Sequence, residues 1–183
     1  YSLKQIRDLW RLSYATQPDL SAEQALSDEA IESHLQSIFP SAEPYRVLKR
    51  NYYNLEQRCL ESFRRGQILF VGDAAHLDSP AGGFGMNGGI HDAQCLVEHL
   101  VPVLEGENQQ LLDRYARRRR TVVIEEIQRL AARNDRWRCE TDAGQRTLIW
   151  NGLQEIVNDP RKTREYLLHS SMIRSRQREQ EIA

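Results

Sequence analysis

Cysteine is scarce in this sequence: Cys59, Cys95 and Cys139 are the only three, and no two of them form a CxxC pair. An odd number at wide spacing argues against a disulfide framework and against a zinc site, and it fits a reducing, cytoplasmic setting. Long hydrophobic runs are also missing, since no stretch approaches the roughly 18 consecutive apolar residues of a membrane span. The start, Tyr1-Ser2-Leu3-Lys4, lacks the basic-then-apolar order of a secretory leader. It also lacks Met, as a cut or processed end would. No sign of charge dominates: 25 Lys and Arg stand against 26 Asp and Glu, a formal net charge of -1, so no overall field recruits nucleic acid or an anionic membrane. What is present is a chain of 183 residues, 40% of them hydrophobic, enough for one core and one domain or a little more.

Residues 1 to 44 read as helical. Ile6, Leu9, Trp10, Leu12 and Ser13 mark a short amphipathic stretch, and Ser21-Ala22-Glu23-Gln24 has the spacing of a capping box. Ile31, Leu35 and Ile38 continue an apolar stripe until Pro40 stops it. From Tyr45 to Phe63 the residues Val47, Tyr52, Tyr53, Leu55 and Cys59 predict one or two strands. Arg64-Arg65-Gly66 reads as a turn, and Gln67 to Gly72 as a short strand buried on both faces of a parallel sheet. A loop of glycines and small residues follows from Asp73 to Gly85. The next helix carries Ile90, Ala93, Val97, Leu100 and Leu104 at three-four spacing, with Pro102 kinking it or capping its last turn. Leu111, Leu112, Tyr115, Val122, Val123, Ile127 and Leu130 predict one long helix, and Leu148, Ile149, Leu153 and Ile156 another. A further helix starts at Asp159-Pro160, an acidic cap followed by proline at the first position. The Arg-, Gln- and Glu-rich end from Arg174 to Ala183 is expected to fray.

The chemistry is concentrated between Ile68 and Leu96. A carboxylate just past the carboxyl end of a strand, as Asp73 is, stands where open α/β sheets bind ligands and can accept hydrogen bonds from sugar-alcohol hydroxyls. Glycines at 82, 83, 85, 88 and 89 allow close approach of the backbone to a flat ligand. Free amides at the helix start near Met86 and Asn87 favour a negative or electron-rich group. Gly83-Phe84-Gly85-Met86-Asn87-Gly88 matches GxGxxG literally, but it is not the dinucleotide fingerprint. That fingerprint needs its first glycine directly after the strand and an acidic residue ending a second strand about twenty residues on. Here the long loop from Asp73 to Gly82 intervenes, and Glu105 and Glu107 follow a helix.

Gly66-Gln67-Ile68-Leu69-Phe70-Val71-Gly72-Asp73-Ala74-Ala75-His76, followed by Pro80-Ala81-Gly82-Gly83-Phe84-Gly85-Met86-Asn87-Gly88-Gly89-Ile90-His91-Asp92-Ala93, resembles the second FAD signature of the class A FAD-dependent aromatic hydroxylases. This is the para-hydroxybenzoate hydroxylase and phenol hydroxylase family. Gln57-Arg58 and Arg65-Gly66 stand where that family carries similar residues, and the close match covers about a quarter of the chain. The resemblance implies that Asp73 holds the ribityl hydroxyls of FAD and that Gly72 leaves room for the cofactor chain. It places Pro80 near the reactive edge of the ring as the catalytic position, its carbonyl facing the substrate side. Gly82, Gly83 and Gly85 would run along the ring, and the amides of Met86 and Asn87 would meet the pyrimidine carbonyl, where a helix amino end favours the reduced, anionic flavin. In that family NAD(P)H reduces the flavin, dioxygen reacts with it, and a small, electron-rich aromatic substrate takes one oxygen atom.

The resemblance has a gap. The strand, GxGxxG turn and helix that hold the ADP part of FAD are not found from Tyr1 onward, and Asp142-Ala143-Gly144 does not supply the family's mid-chain Asp-Gly motif. The expected fold class is therefore α/β, predominantly helical in this chain. It comprises part of a GR2-type, Rossmann-like FAD-binding domain and the end of a mixed-sheet substrate domain, lacking the N-terminal βαβ unit. Residues 1–63 would close the substrate region, 64–108 form the FAD-binding strand-loop-helix, and 109–183 the C-terminal helices. The expected partner is the missing N-terminal FAD-binding half, with a homodimer left open, and the chain alone is expected to be incomplete and inactive.

Other readings stand beside this one. The chain could be a non-catalytic remnant or interaction module that keeps the fold, or part of a related flavin-dependent halogenase or reductase. Arg117-Arg118-Arg119-Arg120 invites a nucleic-acid reading, but members of such a run fan around a helix, and Glu125 and Glu126 follow, which favours a solvated or ion-paired face. His76, Asp78, His91 and Asp92 lack metal-ligand spacing and read as loop and cap residues, with no metal expected. Trp10, Trp137 and Trp150 are assigned to packing or an interface.

Overall fold

The computed structural model describes residues 1–16 and 19–183, in two compact units, Tyr1–Asn54 and Leu55–Ala183. In the first unit, β1 (Ser2–Ile6) and β2 (Leu9–Ser13) form an antiparallel hairpin with Ile6 opposite Leu9 and Leu3 opposite Leu12. This corrects the helical reading of the start. Over so few residues the same apolar positions satisfy either period, and the hairpin pairs them across strands. Gln17 and Pro18, also part of the helical reading, lie outside the described residues. The capping box is formed: Ser21 Oγ accepts from Gln24 N–H and the Gln24 carboxamide accepts from Ser21 N–H, opening α1 (Ala22–Ala25). Helix α2 (Asp28–Ile38) follows, capped by Ser27 and ending before Pro40. Arg50 reaches back to Leu26 O at 2.9 Å and to Asp28 at 2.6 Å.

In the second unit the extended content reduces to two short pairings. β3 (Arg58–Cys59) pairs with β6 (His76–Leu77), and β4 (Arg64–Arg65) with β5 (Ile68–Leu69), all antiparallel. The β4–β5 link is a two-residue turn with Gly66 at φ +64°, a position where glycine avoids the side-chain penalty of the left-handed region. The strand expected to be buried on both faces instead leaves Ile68 60% exposed, because its only partner among the described residues is β4. Tyr115 Oη donates to Phe70 O at 2.6 Å and holds the strand end against the helices.

Helices make up the rest. α3 (Phe84–Leu104) packs against α4 (Gln110–Val122), which runs through a π turn (Val123–Gln128) into α5 (Arg129–Cys139), giving the single long helix the spacing predicts. Phe63, Ala75, Phe84, Cys95, Tyr115, Val122, Val123, Ile127 and Ala131 form the core. α6 (Ala143–Asn158) and α7 (Pro160–Ser170) pack together, and α8 (Ile173–Glu181) returns to α4. Among the described residues, no helix is long and apolar enough to cross a membrane.

Two readings of these helices are corrected. The three-four stripe of α3 faces outward: Ile90 and Val97 are each 57% exposed and Leu104 is 76% exposed. The buried face is Phe84, Gly88, Asp92, Cys95 and His99, where Phe84 and Cys95 join the apolar core and Asp92 enters buried ion pairs. The end of the chain is not frayed. Ser175 and Glu179 are buried, and Arg117 and Arg118 donate to the carbonyls of Ala183 and Ile182, just past the end of α8.

Asp159 caps α7 as expected, accepting from Arg161 N–H at 2.8 Å and Lys162 N–H at 3.2 Å ahead of Pro160. Asp159→Ala should lower the unfolding free energy by about 1 kcal/mol. Urea unfolding monitored by circular dichroism checks this, and an unchanged curve would refute the capping role.

Candidate functional site

The loop from Gly72 to Asn87 takes its shape from a few backbone constraints. Gly72 has φ +57° and opens a single 3-10 turn, Gly72–Ala74, closed by Ala75 N–H on Gly72 O at 2.8 Å. That turn leaves Asp73 exposed, outside the ion pairs that engage Asp78 and Asp92. Behind it, a Cβ on Gly89 would stand 3.2 Å from Gly72 Cα, so the turn and α3 meet backbone to backbone. A second turn follows, with Gly83 N–H on Pro80 O at 3.1 Å. Gly82 at φ +118° has no room for a side chain: its Cβ would stand 2.2 Å from the Phe84 ring.

Gly83, at φ +70°, is the cap residue of α3, and among the described residues no side chain accepts from the first turn of that helix. The amides of Phe84, Gly85 and Met86 are therefore free, as first-turn amides are unless capped. Asn87 Nδ2 donates back to Gly83 O at 3.0 Å. The space beside Gly83 and Gly85 is open, and Met86 is 76% exposed. Gly88 and Gly89 do not belong to this surface, since they face inward onto His76, Ile127 and Gly72. The structure thus gathers Gly72, Asp73, Pro80, Gly82, Gly83, Gly85, Met86 and Asn87 along one continuous loop and helix end. Pro80 is exposed there.

A buried ion network underlies the loop, and sequence reasoning missed it. Asp92, fully buried, accepts from Gly72 N–H at 3.0 Å, from His76 Nε2 at 2.8 Å and from Arg119 Nε at 2.6 Å. His76 Nδ1 lies 2.8 Å from Asp78, and Arg119 Nη1 lies 2.5 Å from Glu179 of α8. Burial by itself lowers the pKa of His76, but its hydrogen bonds and charge interactions with Asp78 and Asp92 outweigh this and raise it to about 9. For Asp92 burial pushes upward, and the His76 bond and the Arg119 guanidinium overcome it, holding the carboxyl below its usual value. His76, Asp78 and Asp92 are thus not solvated loop and cap residues. A usable signal was the inward register of α3, where Gly88, Asp92, Cys95 and His99 form a second face opposite the apolar one.

The four arginines of the run divide over three tasks. Arg117 and Arg118 hold the end of α8, Arg119 enters the network, and Arg120 Nε donates to Leu60 O at 2.9 Å. The long helix also sends two carboxamides to the loop: Gln128 Nε2 donates to Arg58 O and Leu77 O, and Asn134 Nδ2 to Ala81 O at 3.2 Å.

An exposed carboxylate, open glycines and free helix amides on one loop suit a ligand with hydroxyls at one end and a flat, electron-rich ring at the other. The profile of the FAD binding domain family matches residues 2–130, more than half of the chain. The chain belongs to this family. Among curated members, it is 34% identical to the para-nitrophenol 4-monooxygenase of a Pseudomonas species over 176 residues, 92% of this chain and 42% of that protein. It is 30% identical to the 6-hydroxy-3-succinoylpyridine 3-monooxygenase of Pseudomonas putida, over 87% of this chain and 40% of the relative. The solved p-nitrophenol 4-monooxygenase of Pseudomonas putida superposes with a TM-score of 0.74 at 35% identity, covering 87% of this chain and 41% of that one. The chain therefore spans about two fifths of the length of these relatives. The expected α/β, predominantly helical fragment of an FAD-binding domain is the fold observed.

Proposed function

We propose that the chain is the flavin-ring portion of an FAD-dependent monooxygenase that hydroxylates an aromatic substrate, with NAD(P)H as reductant. The observation that carries this is the convergence of the Asp73 carboxylate, the open Gly83 and Gly85, and the uncapped amides of α3 on one surface. The residues fit the cofactor. Asp73 has a free carboxylate for the ribityl hydroxyls, and the positive φ of Gly72 turns that carboxylate outward. Gly82, Gly83 and Gly85 keep side chains off the ring face. The free first-turn amides of Phe84, Gly85 and Met86, with Asn87 next in the helix, favour the electron-rich pyrimidine edge and its negative charge on reduction. Pro80 is exposed on this turn, which suits a place facing the substrate. Bound FAD would supply the redox chemistry between nicotinamide and dioxygen, while the residues of this chain would orient and shield the ring.

The outward stripe of α3, with Met86, Ile90, Val97, Val101 and Leu104 all exposed, supports a further partner, an N-terminal FAD-binding half. A contiguous apolar helix face is a surface to be covered rather than solvated. The test combines this chain with such a half and titrates FAD by fluorescence. Asp73→Ala should weaken FAD binding by about tenfold to a hundredfold, the loss of charge-assisted hydrogen bonds. FAD affinity unchanged in this variant would remove the proposal, and a folded assembly that ignores FAD would favour a non-catalytic remnant.

A further inference from the structure

The turn that carries Pro80 has unusual freedom at its core. Gly82 and Gly83 both hold left-handed φ values, at +118° and +70°, and adjacent glycines there allow the turn to tilt with little torsional resistance. Within the turn, Gly83 N–H meets Pro80 O and Ala81 N–H meets Ser79 Oγ at 3.2 Å, contacts that move with it. The contact that ties the turn to the rest of the fold comes from behind. Asn134 of α5 donates from Nδ2 to Ala81 O at 3.2 Å, and its carboxamide lies so close that a Cβ on Gly82 would stand 2.9 Å from Nδ2. Gln128, at the end of the π turn, fixes the start of the same segment through Leu77 O at 3.3 Å. One helix thus grips residues 77–81 at both ends, and Pro80 lies between the grips.

We propose that Asn134 is a positioning residue for the flavin seat: by holding the Ala81 carbonyl it sets the height and tilt of the Pro80–Gly83 turn against the ring. The inference rests on the reading of residues 72–87 as that seat. It concerns a residue outside the glycine-rich loop, 53 positions further along the chain. The donor, not the bulk of the side chain, carries the role, because a carbonyl needs an N–H partner to be held in a fixed direction.

Asn134→Asp keeps the shape, removes the donor and turns a carboxylate oxygen on the Ala81 carbonyl. In the chain combined with its N-terminal half, this variant should bind FAD about tenfold more weakly and alter the visible absorption of the bound flavin. Its urea midpoint should fall by far less than its FAD affinity, since only one part-buried hydrogen bond to one turn is lost. Asn134→Ala should show a smaller loss than Asn134→Asp. Parent-like FAD affinity and spectrum in Asn134→Asp, with Asp73→Ala still impaired, would overturn the inference and leave the seat intact. A fall of the urea midpoint matching the fall in affinity would also overturn it, assigning Asn134 to folding. If Asp73→Ala is parent-like too, the seat itself fails and the inference with it.

Discussion

Arg119→Met should lower the unfolding free energy by about 3–5 kcal/mol, the scale of breaking a buried ion pair by removing one partner. Arg119 has no solvent exposure and lies between Asp92 and Glu179 at 2.6 and 2.5 Å. Without it, two carboxylates from α3 and α8 remain in a site that water does not reach, and each loses its main compensation. Glu179 keeps Arg176 at 3.2 Å, and Asp92 keeps His76 at 2.8 Å. Removing Glu179 as well, in Arg119→Met with Glu179→Met, should therefore recover part of the loss, because Asp92 retains a charged neighbour. Urea unfolding of the single and double variants measures this. A single-variant loss under about 1 kcal/mol, the scale of an exposed pair, would show that the network does not hold the unit together.

The network also links stability to the site. Asp92 spends one of its bonds on the amide of Gly72, which fixes the turn that exposes Asp73. Elements distant in sequence, the loop, α3, α4 and α8, thus converge on one carboxylate. Three acids, Asp78, Asp92 and Glu179, face Arg119 and His76 inside and Arg176 at the margin, so charge balances when His76 is protonated.

Much of the local structure was legible in the sequence, since short-range signals decide it. The Ser21 cap, the Asp159-Pro160 start and the long helix from Gln110 to Cys139 follow from capping chemistry and periodicity. The loop from Gly72 to Asn87 was legible because glycine at left-handed φ leaves a clear trace. The hairpin at the start was not, for Ile6 and Leu9 fit a helix or a cross-strand pair equally well. The inward face of α3 leaves only a weak trace, its second stripe of Gly88, Asp92, Cys95 and His99, for another reason. Its apolar stripe is real but points outward, while the buried side is decided by Asp92 and its partners at separations of 16, 27 and, through Arg119, 60 residues. No local window contains such pairings. Asn134 was invisible on the same ground, since its partner Ala81 is fixed by tertiary packing alone.

Raising the pH from 6.5 to about 9 should cost this unit stability through His76 alone. Its pKa rises from 6.5 to about 9 in the fold, so the folded state holds a proton that the unfolded state has released across that window. The contribution is fully present below pH 6.5 and is lost as pH climbs through the folded value, at up to about 1.4 kcal/mol per unit and about 3 kcal/mol in all. Asp92 works in the opposite sense: its lowered pKa contributes stability above the usual carboxylate range that disappears as acid protonates it in the fold. Stability should thus be greatest in mildly acidic solution and fall on both sides. His76→Gln, which cannot carry the charge, should be less stable than the parent at pH 6 and should lose the slope between pH 7 and 9. Urea unfolding at a series of pH values separates the two curves. Equal slopes in parent and variant would place the titration elsewhere, whereas a flattened variant curve ties the alkaline loss to the imidazolium wedged between Asp78 and Asp92, directly behind the Gly72 turn.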